Sequence, residues 1–168
     1  MSYPKTYRAI RRTAKPYPLA IEITNETIPK SLGPNDVVIR IHAASLNYRD
    51  VAMLHEGKWV LSSFRLSFSL GFYPDKHHRY PVPVIDHGIE GSCCAAEIVA
   101  MGSAVERFTI GDRVTVTTNL NLLTGDERDA EVQALGGDVP GVLREYAVFE
   151  EKHLVLLPPH LSWEEVRP

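Results

Sequence analysis

The chain has few cysteines and no long apolar run. Its two cysteines, Cys93 and Cys94, are adjacent among 168 residues, and sequence neighbours cannot bridge each other with relaxed geometry, which excludes a disulfide framework. No stretch approaches the ~18 apolar residues of a membrane span, and the amino terminus has no apolar core of a secretory signal. We therefore expect a cytoplasmic protein that does not interact with membranes.

A surplus of positive charge is also missing. The sequence contains 18 Lys and Arg residues against 21 Asp and Glu residues, a net charge of −3. This balance argues against nucleic acid or an anionic surface as the main partner and favours a small molecule or another protein. The length and the hydrophobic fraction of 44% are typical of a single globular domain.

Long helical patterns are scarce too. Twelve prolines and eleven glycines separate short apolar runs, which predicts a mainly β fold with a few short helices. Asp50 is the predicted N-cap of a helical turn over residues 51–57, and Ser162 and Glu165 form a capping box. A further helical turn is predicted at 126–135, and an amphipathic strand within 59–79. The other predicted strands cover residues 7–11, 19–24, 37–44, 95–101, 114–116, 141–149 and 154–157.

A polar cluster follows the predicted strand at 37–44. Asn47, Tyr48, Arg49 and Asp50 place an amide, a phenol, a guanidinium and a carboxylate at the end of a rigid element, where binding and catalytic sites are often built. The alternative is turn chemistry, because Asn and Asp side chains bond to the local backbone and end strands.

Metal-ligand patterns are absent. Two cysteines without a second pair cannot form a four-cysteine zinc site. His87 is the candidate for lining a pocket, because it follows the extended Pro-Val-Ile segment. The other histidines considered one by one are predicted to be surface or hydrogen-bonded structural residues: His42, His55, His153 and His160.

Four motifs occur in a characteristic order: NYRD at 47–50; YPVPVI at 80–85 leading to GSCCAAEIVAMG at 91–102; RFTIGDRV at 107–114; and GVLREYAVF at 141–149. Together they resemble the amino-terminal GroES-like domain of the medium-chain dehydrogenase/reductase superfamily, in its zinc-free alcohol dehydrogenase-like or quinone oxidoreductase-like branch. The resemblance implies a partly open β-barrel over 1–157 with an atypical insert at 59–79, then the start of a truncated linker helix at 158–168.

The resemblance also implies a function. Relatives take a hydride from NADH or NADPH to reduce carbonyls, enones or quinones, and the resemblance implies NADP as the cofactor here without deciding between the two. In these relatives the turn equivalent to 47–50 faces the nicotinamide and the substrate. Asn47 and Tyr48 are therefore the expected cofactor-contacting and catalytic residues, donating hydrogen bonds to the substrate oxygen, and Asp50 is expected to orient the turn. Arg49 is predicted to be a solvated or ion-paired charge.

Zinc is not expected. Zinc-dependent relatives carry a cysteine at the position of Asn47 and Gly-His-Glu at the position of Gly91, Ser92 and Cys93, so the thiolate and the imidazole ligands are both missing. We expect Cys93 and Cys94 to pack as small apolar residues.

The cofactor domain is missing from the sequence. No Gly-x-Gly-x-x-Gly loop joins a strand to a helix, and the glycines at 136–141 lack that context. Because the cofactor supplies the hydride, we expect no NADPH-dependent turnover from this chain alone. The alternative function is a non-enzymatic barrel fragment or binding module from an incomplete gene product. Relatives are usually homo-oligomers.

Overall fold

The structure is a computed structural model that describes residues 3–55, 84–124 and 133–166. The insert at 59–79 and most of the predicted helical turn at 126–135 lie outside these residues. The strands are β1 Thr6–Arg12, β2 Ile21–Thr27, β3 Asp36–Ser45, β4 Cys93–Met101, β5 Arg113–Val116, β6 Tyr146–Glu150 and β7 Leu154–Leu156, with helix α1 at Tyr48–Leu54 and a 3-10 turn at Glu151–His153. The predicted mainly β class is confirmed.

Two antiparallel sheets form the fold. The larger has the strand order β6-β3-β4-β5-β7 and curls into half a barrel, and the smaller is the β1-β2 ribbon. The central strand β3 pairs with β4 along nearly its whole length, but with β6 only between Asp36 and Arg40. The far end of β3, which leads to the Asn47 turn, is therefore held by β4.

The core lies on both faces of β3. Val37 and Ile39 are fully buried in the main core on one face, whereas Val38 packs with Tyr7 of β1 in a second cluster on the other. The period of two predicted one buried face, but the β1-β2 ribbon covers the other face here. The main core also contains Cys94, Ala96, Ile98, Phe108, Val114, Val116, Leu135, Val142, Ala147, Phe149 and Leu154.

Two predicted strands differ from the structure. The strand predicted at 19–24 lies later, as β2, and its alternating Ile21 and Ile23 are 57% and 72% exposed. The strand predicted at 141–149 begins only at Tyr146. Before it, the chain crosses so close to the carbonyl groups of Glu90 and Gly91 that any side chain at Gly141 would overlap them. Residues 141–143 therefore form individual backbone hydrogen bonds to residues 89–91 and are not part of a regular strand ladder.

The described part of the chain contains no helix that is long and apolar enough to cross a membrane.

Candidate functional site at the end of strand β3

Helix α1 begins directly after Asn47, which is its N-cap with extended backbone angles. The prediction of Asp50 as the N-cap of a helix at 51–57 is therefore wrong. Asp50 is the third helical residue, where its Oδ2 accepts the Asn47 backbone N–H at 2.7 Å, and its own N–H donates to the Asn47 carbonyl at 3.0 Å. An Asn followed three residues later by an acid is a variant of the capping box, so this signal was present in the sequence.

The Asn47 side chain points toward the start of β4. Its Nδ2 donates to the Ser92 Oγ at 3.4 Å and to the Cys93 Sγ at 3.8 Å, and these two acceptors are themselves 3.4 Å apart. The pairing of Ser45 with Cys93 in the β3-β4 ladder brings the three side chains together. The structure thus assembles an amide, a hydroxyl and a thiol at the end of the central strand.

The turn around Asn47 carries an exposed apolar rim. Tyr48 is 58% exposed, and its neighbours Leu46 and Val51 are 74% and 54% exposed. Tyr48 is thus accessible to a ligand.

Asp50, by contrast, is buried. It is 6% exposed, and its Oδ1 has no hydrogen-bond partner among the described residues. The side chain lies too deep to touch a ligand at the rim, and it acts on the turn through the Asn47 backbone. Of the three predicted site residues, the structure places Asn47 and Tyr48 at the accessible surface of the turn and Asp50 behind it.

A buried ion pair lies in the same region of the interior. The Arg12 Nη1 donates to the Glu90 Oε1 at 2.9 Å and to the Gly136 carbonyl at 2.6 Å, and it contacts the Met53 sulfur of α1 at 3.7 Å. Burial raises the pKa of Glu90 to about 7, the Asp50 carboxylate adds to the shift, and Arg12 opposes it. Nothing in the local sequence distinguishes Arg12 from the neighbouring Arg11, so the sequence could not reveal this pair.

Arg49 connects α1 to a distant loop. Its Nη2 donates to the Leu135 carbonyl at 2.6 Å, and the side chain is partly buried. Of the two predicted alternatives, the solvated charge does not hold, because the guanidinium is partly buried and donates to a backbone acceptor in the loop around Gly136; the ion-paired alternative stays a prediction. Gly136 has a positive φ of 77°, and a Cβ there would lie 2.8 Å from the Gly91 carbonyl oxygen, so this glycine permits close packing of the loop.

His87 does not line this site. It is exposed, and its Nε2 lies 2.6 Å from the Glu22 Oε1 of β2. Cys94 is buried in the main core as predicted, and burial raises the pKa of its thiol to about 12. Cys93 differs from the prediction, because it is partly exposed and contacts Asn47 and Ser92.

The fit to a nicotinamide cofactor is partial. Asn47 and Tyr48 could contact the nicotinamide ring, but within residues 3–55, 84–124 and 133–166 no glycine-rich turn leads from a strand into a helix to hold the phosphates. No group of three or more His, Cys, Asp or Glu side chains in these ranges is placed to hold a metal ion.

Residues 33–159 match the alcohol dehydrogenase GroES-like domain. The chain belongs to this family. A zinc-type alcohol dehydrogenase-like protein of Schizosaccharomyces pombe is 34% identical over 140 residues, which cover 83% of this chain and 34% of that protein. The crotonyl-CoA reductase of Streptomyces avermitilis is 28% identical over 158 residues, 87% of this chain and 33% of that protein.

Among solved structures, the quinone oxidoreductase of Coxiella burnetii shares the fold. It superposes with a TM-score of 0.61 at 18% identity, over 96% of this chain and 40% of that one. The resemblance to the GroES-like domain of medium-chain oxidoreductases is thus confirmed. This GroES-like domain chain spans about a third of the length of the curated relatives described above.

Proposed function

We propose that this chain forms the substrate side of the active site of a zinc-independent, NADP-dependent oxidoreductase that acts on carbonyl, enone or quinone groups. The observation that carries the proposal is the turn after β3, where Asn47 caps α1 and Tyr48 stands exposed beside it. Membership of an oxidoreductase domain family supports the reaction class. The names of the relatives, an alcohol dehydrogenase-like protein, a crotonyl-CoA reductase and a quinone oxidoreductase, support the substrate classes.

The residues of the turn would act as hydrogen-bond donors. The cofactor supplies a hydride, and negative charge then develops on the substrate oxygen, where preorganised donors are most effective. The Tyr48 phenol donates to this oxygen, and the Asn47 amide does so when it exchanges its long bond to the Cys93 thiol for one to the substrate, while Leu46 and Val51 exclude water from the oxygen. Asp50 is a positioning residue, because its carboxylate holds the Asn47 backbone N–H at 2.7 Å and fixes the direction of the turn.

Zinc independence is proposed from the donor set. Zinc sites in proteins use thiolate, imidazole and carboxylate ligands, whereas Asn47 and Ser92 offer an amide and a hydroxyl. In the structure the amide, the hydroxyl and the Cys93 thiol are connected by hydrogen bonds. One thiol cannot complete a tetrahedral site.

The test is a titration of the chain with tetramethyl-1,4-benzoquinone, a quinone whose substituted ring carbons resist addition of a cysteine thiol. We expect the backbone amide signals of residues 45–51 to shift in the NMR spectrum. Tyr48→Phe should weaken binding by about threefold or more, because one hydrogen bond contributes ~0.5–1.5 kcal/mol. Tyr146→Phe is the matched control, because Tyr146 lies in β6 against Tyr7.

Two outcomes would contradict the proposal: shifts confined to residues outside the turn, or equal affinity of the wild type and Tyr48→Phe. NADPH consumption by the chain is followed in the same samples, and we expect none. Binding at the turn without any effect of Tyr48→Phe would favour the alternative function, a binding module.

A further inference from the structure

Ser92 is the buried member of the cluster that it forms with Asn47 and Cys93. The serine is 2% exposed, whereas the cysteine is partly exposed. The Asn47 Nδ2 donates to the Ser92 Oγ at 3.4 Å and, over a longer distance, to the Cys93 Sγ at 3.8 Å. Because a thiol sulfur is a weaker acceptor than a hydroxyl oxygen, the amide is held more firmly by the serine than by the cysteine.

The three side chains satisfy one another's hydrogen bonds. A carboxamide nitrogen carries two N–H donors, and a serine hydroxyl carries one O–H donor and two lone pairs. With one amide hydrogen directed at Ser92 and the other at Cys93, the Ser92 hydroxyl can donate its own hydrogen to the sulfur, which lies 3.4 Å away. The Asn47 carboxamide therefore has one preferred orientation in the free chain, with its nitrogen toward β4.

The backbone around Ser92 is fixed on both sides. Before it, the Gly91 carbonyl accepts the Val142 N–H at 3.0 Å, and Gly91 has a positive φ of 85°, which side chains rarely adopt. After it, Cys93 pairs with Ser45 in the β3-β4 ladder. A side chain on such a support keeps its direction, which is what a residue that orients a site needs.

We propose that Ser92 is a positioning residue of the candidate site and that Cys93 is an exchangeable partner of the Asn47 amide. Ser92 anchors one amide hydrogen inside the protein, and Cys93 keeps the other directed until a ligand oxygen takes its place. The bond to sulfur is the one that is exchanged, because it is longer and involves the more exposed acceptor. This inference rests on the proposed function, since the ligand oxygen is that of a carbonyl or quinone.

The first measurement uses the chain without a ligand. The two hydrogens of the Asn47 side-chain amide give separate NMR signals, which are identified by their loss in Asn47→Asp. Ser92→Ala should shift mainly one of these signals and Cys93→Ala mainly the other. In Ser92→Ala the amide hydrogens should also exchange with water about two- to tenfold faster, as the loss of one buried hydrogen bond predicts.

Thr117→Val is the matched control for the loss of a buried hydroxyl. The Thr117 Oγ1 is buried and has no hydrogen-bond partner in the part of the chain that the structure describes. Its removal should leave both Asn47 signals and their exchange unchanged. The backbone signals of β5 to β7 are recorded in every variant to show that the fold is kept.

The second measurement repeats the titration with tetramethyl-1,4-benzoquinone. Ser92→Ala should weaken binding by about two- to tenfold, because the donating amide is no longer held in place. Cys93→Ala should change the affinity by less than about twofold, because the weak bond to sulfur is given up when the ligand binds.

Unchanged Asn47 amide signals in Ser92→Ala would overturn the proposal. So would a greater loss of affinity in Cys93→Ala than in Ser92→Ala, because the sulfur would then be the anchor. If the quinone shifts no signal of the turn in the wild type, the proposed function fails, while the Asn47 signals of the free chain still decide whether Ser92 anchors the amide.

Discussion

Glu90 makes the stability of the fold depend on pH. Its pKa rises from the ordinary 4.5 to about 7 in the folded chain, mainly because of burial. The folded state therefore binds this proton more tightly than the unfolded state does. The contribution of this proton to the free energy of unfolding is complete below the pKa that Glu90 has in the unfolded chain, and it is lost as the pH rises through about 7.

We expect Glu90→Gln to remove this pH dependence, because glutamine has no carboxyl group to titrate. The free energy of unfolding of the wild type should fall relative to that of the variant by about 2 kcal/mol between pH 5 and pH 8. Urea unfolding at several pH values measures the difference. Only the change of this difference with pH is compared between the two proteins. Its absolute value also reflects the altered partner of Arg12, which is the same at every pH. A difference that stays constant with pH, or grows in favour of the wild type, would show that Glu90 is ionised throughout.

The residues of the Asn47 turn were predictable, whereas the buried charges were not. Asn47 and Asp50 are three residues apart, so their mutual capping is local chemistry. Arg12 and Glu90 are separated by 78 positions, and their pairing depends on how the β1-β2 ribbon packs against the segment before β4. The roles of Asn47, Tyr48 and Asp50 in a reaction stay a prediction.

At the scale of elements, most of the predicted strands form regular ladders in the structure. Residues 37–44 and 95–101 were predicted as strands and lie in β3 and β4, because ladder pairing fixes their alternation. Ile21 and Ile23 alternate like the buried face of a strand but are exposed in β2, since alternation alone cannot tell whether a face meets a core. The segment before β6 is irregular because it crosses the backbone around Glu90 and Gly91.

The end of β4 provides a prediction at this scale. The Gly102 N–H donates to the Asp36 carbonyl at 2.7 Å, and a Cβ at Gly102 would overlap the carbonyl oxygens of Gly33 and Pro34. Gly102→Ala should therefore push the turn before β3 away from β4 and lower the free energy of unfolding by about 1–3 kcal/mol, as overpacking does elsewhere. Chemical denaturation measures the loss.

Ser103→Ala serves as the control for Gly102→Ala. Ser103 is exposed, and its substitution should change the stability by less than about 0.5 kcal/mol. Equal stability of Gly102→Ala and the wild type would mean that the turn at residues 33–35 moves freely, and that β3 does not depend on this close approach for its register.

At the scale of the whole molecule, Arg12 joins segments that are far apart in sequence. From β1 it reaches Met53 in α1, Glu90 before β4, the Ile85 carbonyl and the Gly136 carbonyl. The side chain is completely buried. Because the β1-β2 ribbon has no ladder to the larger sheet beyond isolated bridges in the described residues, we infer that this one guanidinium is a main tie between the ribbon and the candidate site.

Arg12→Met should destabilise the chain strongly, because the apolar side chain fills the space but leaves Glu90 buried without its cation. Removing one partner of a buried pair typically costs about 3–5 kcal/mol. The loss should shrink as the pH falls toward 7, because Glu90 without Arg12 holds its proton at a higher pH than it does in the wild type. Arg8→Met is the matched control on the same strand: its pair with Glu145 is 69% and 43% exposed, so its loss should cost far less stability than Arg12→Met.

The double variant Arg12→Met, Glu90→Gln separates the charge from the other contacts of Arg12. If the buried carboxylate causes most of the loss, the double variant should be more stable than the sum of the single changes predicts, by at least about 1 kcal/mol. Urea unfolding at pH 8 measures this coupling. Additive losses would instead assign the effect of Arg12 to its bonds with the Gly136 and Ile85 carbonyls, and the tie between the ribbon and the site would then run through the backbone of the distant loop.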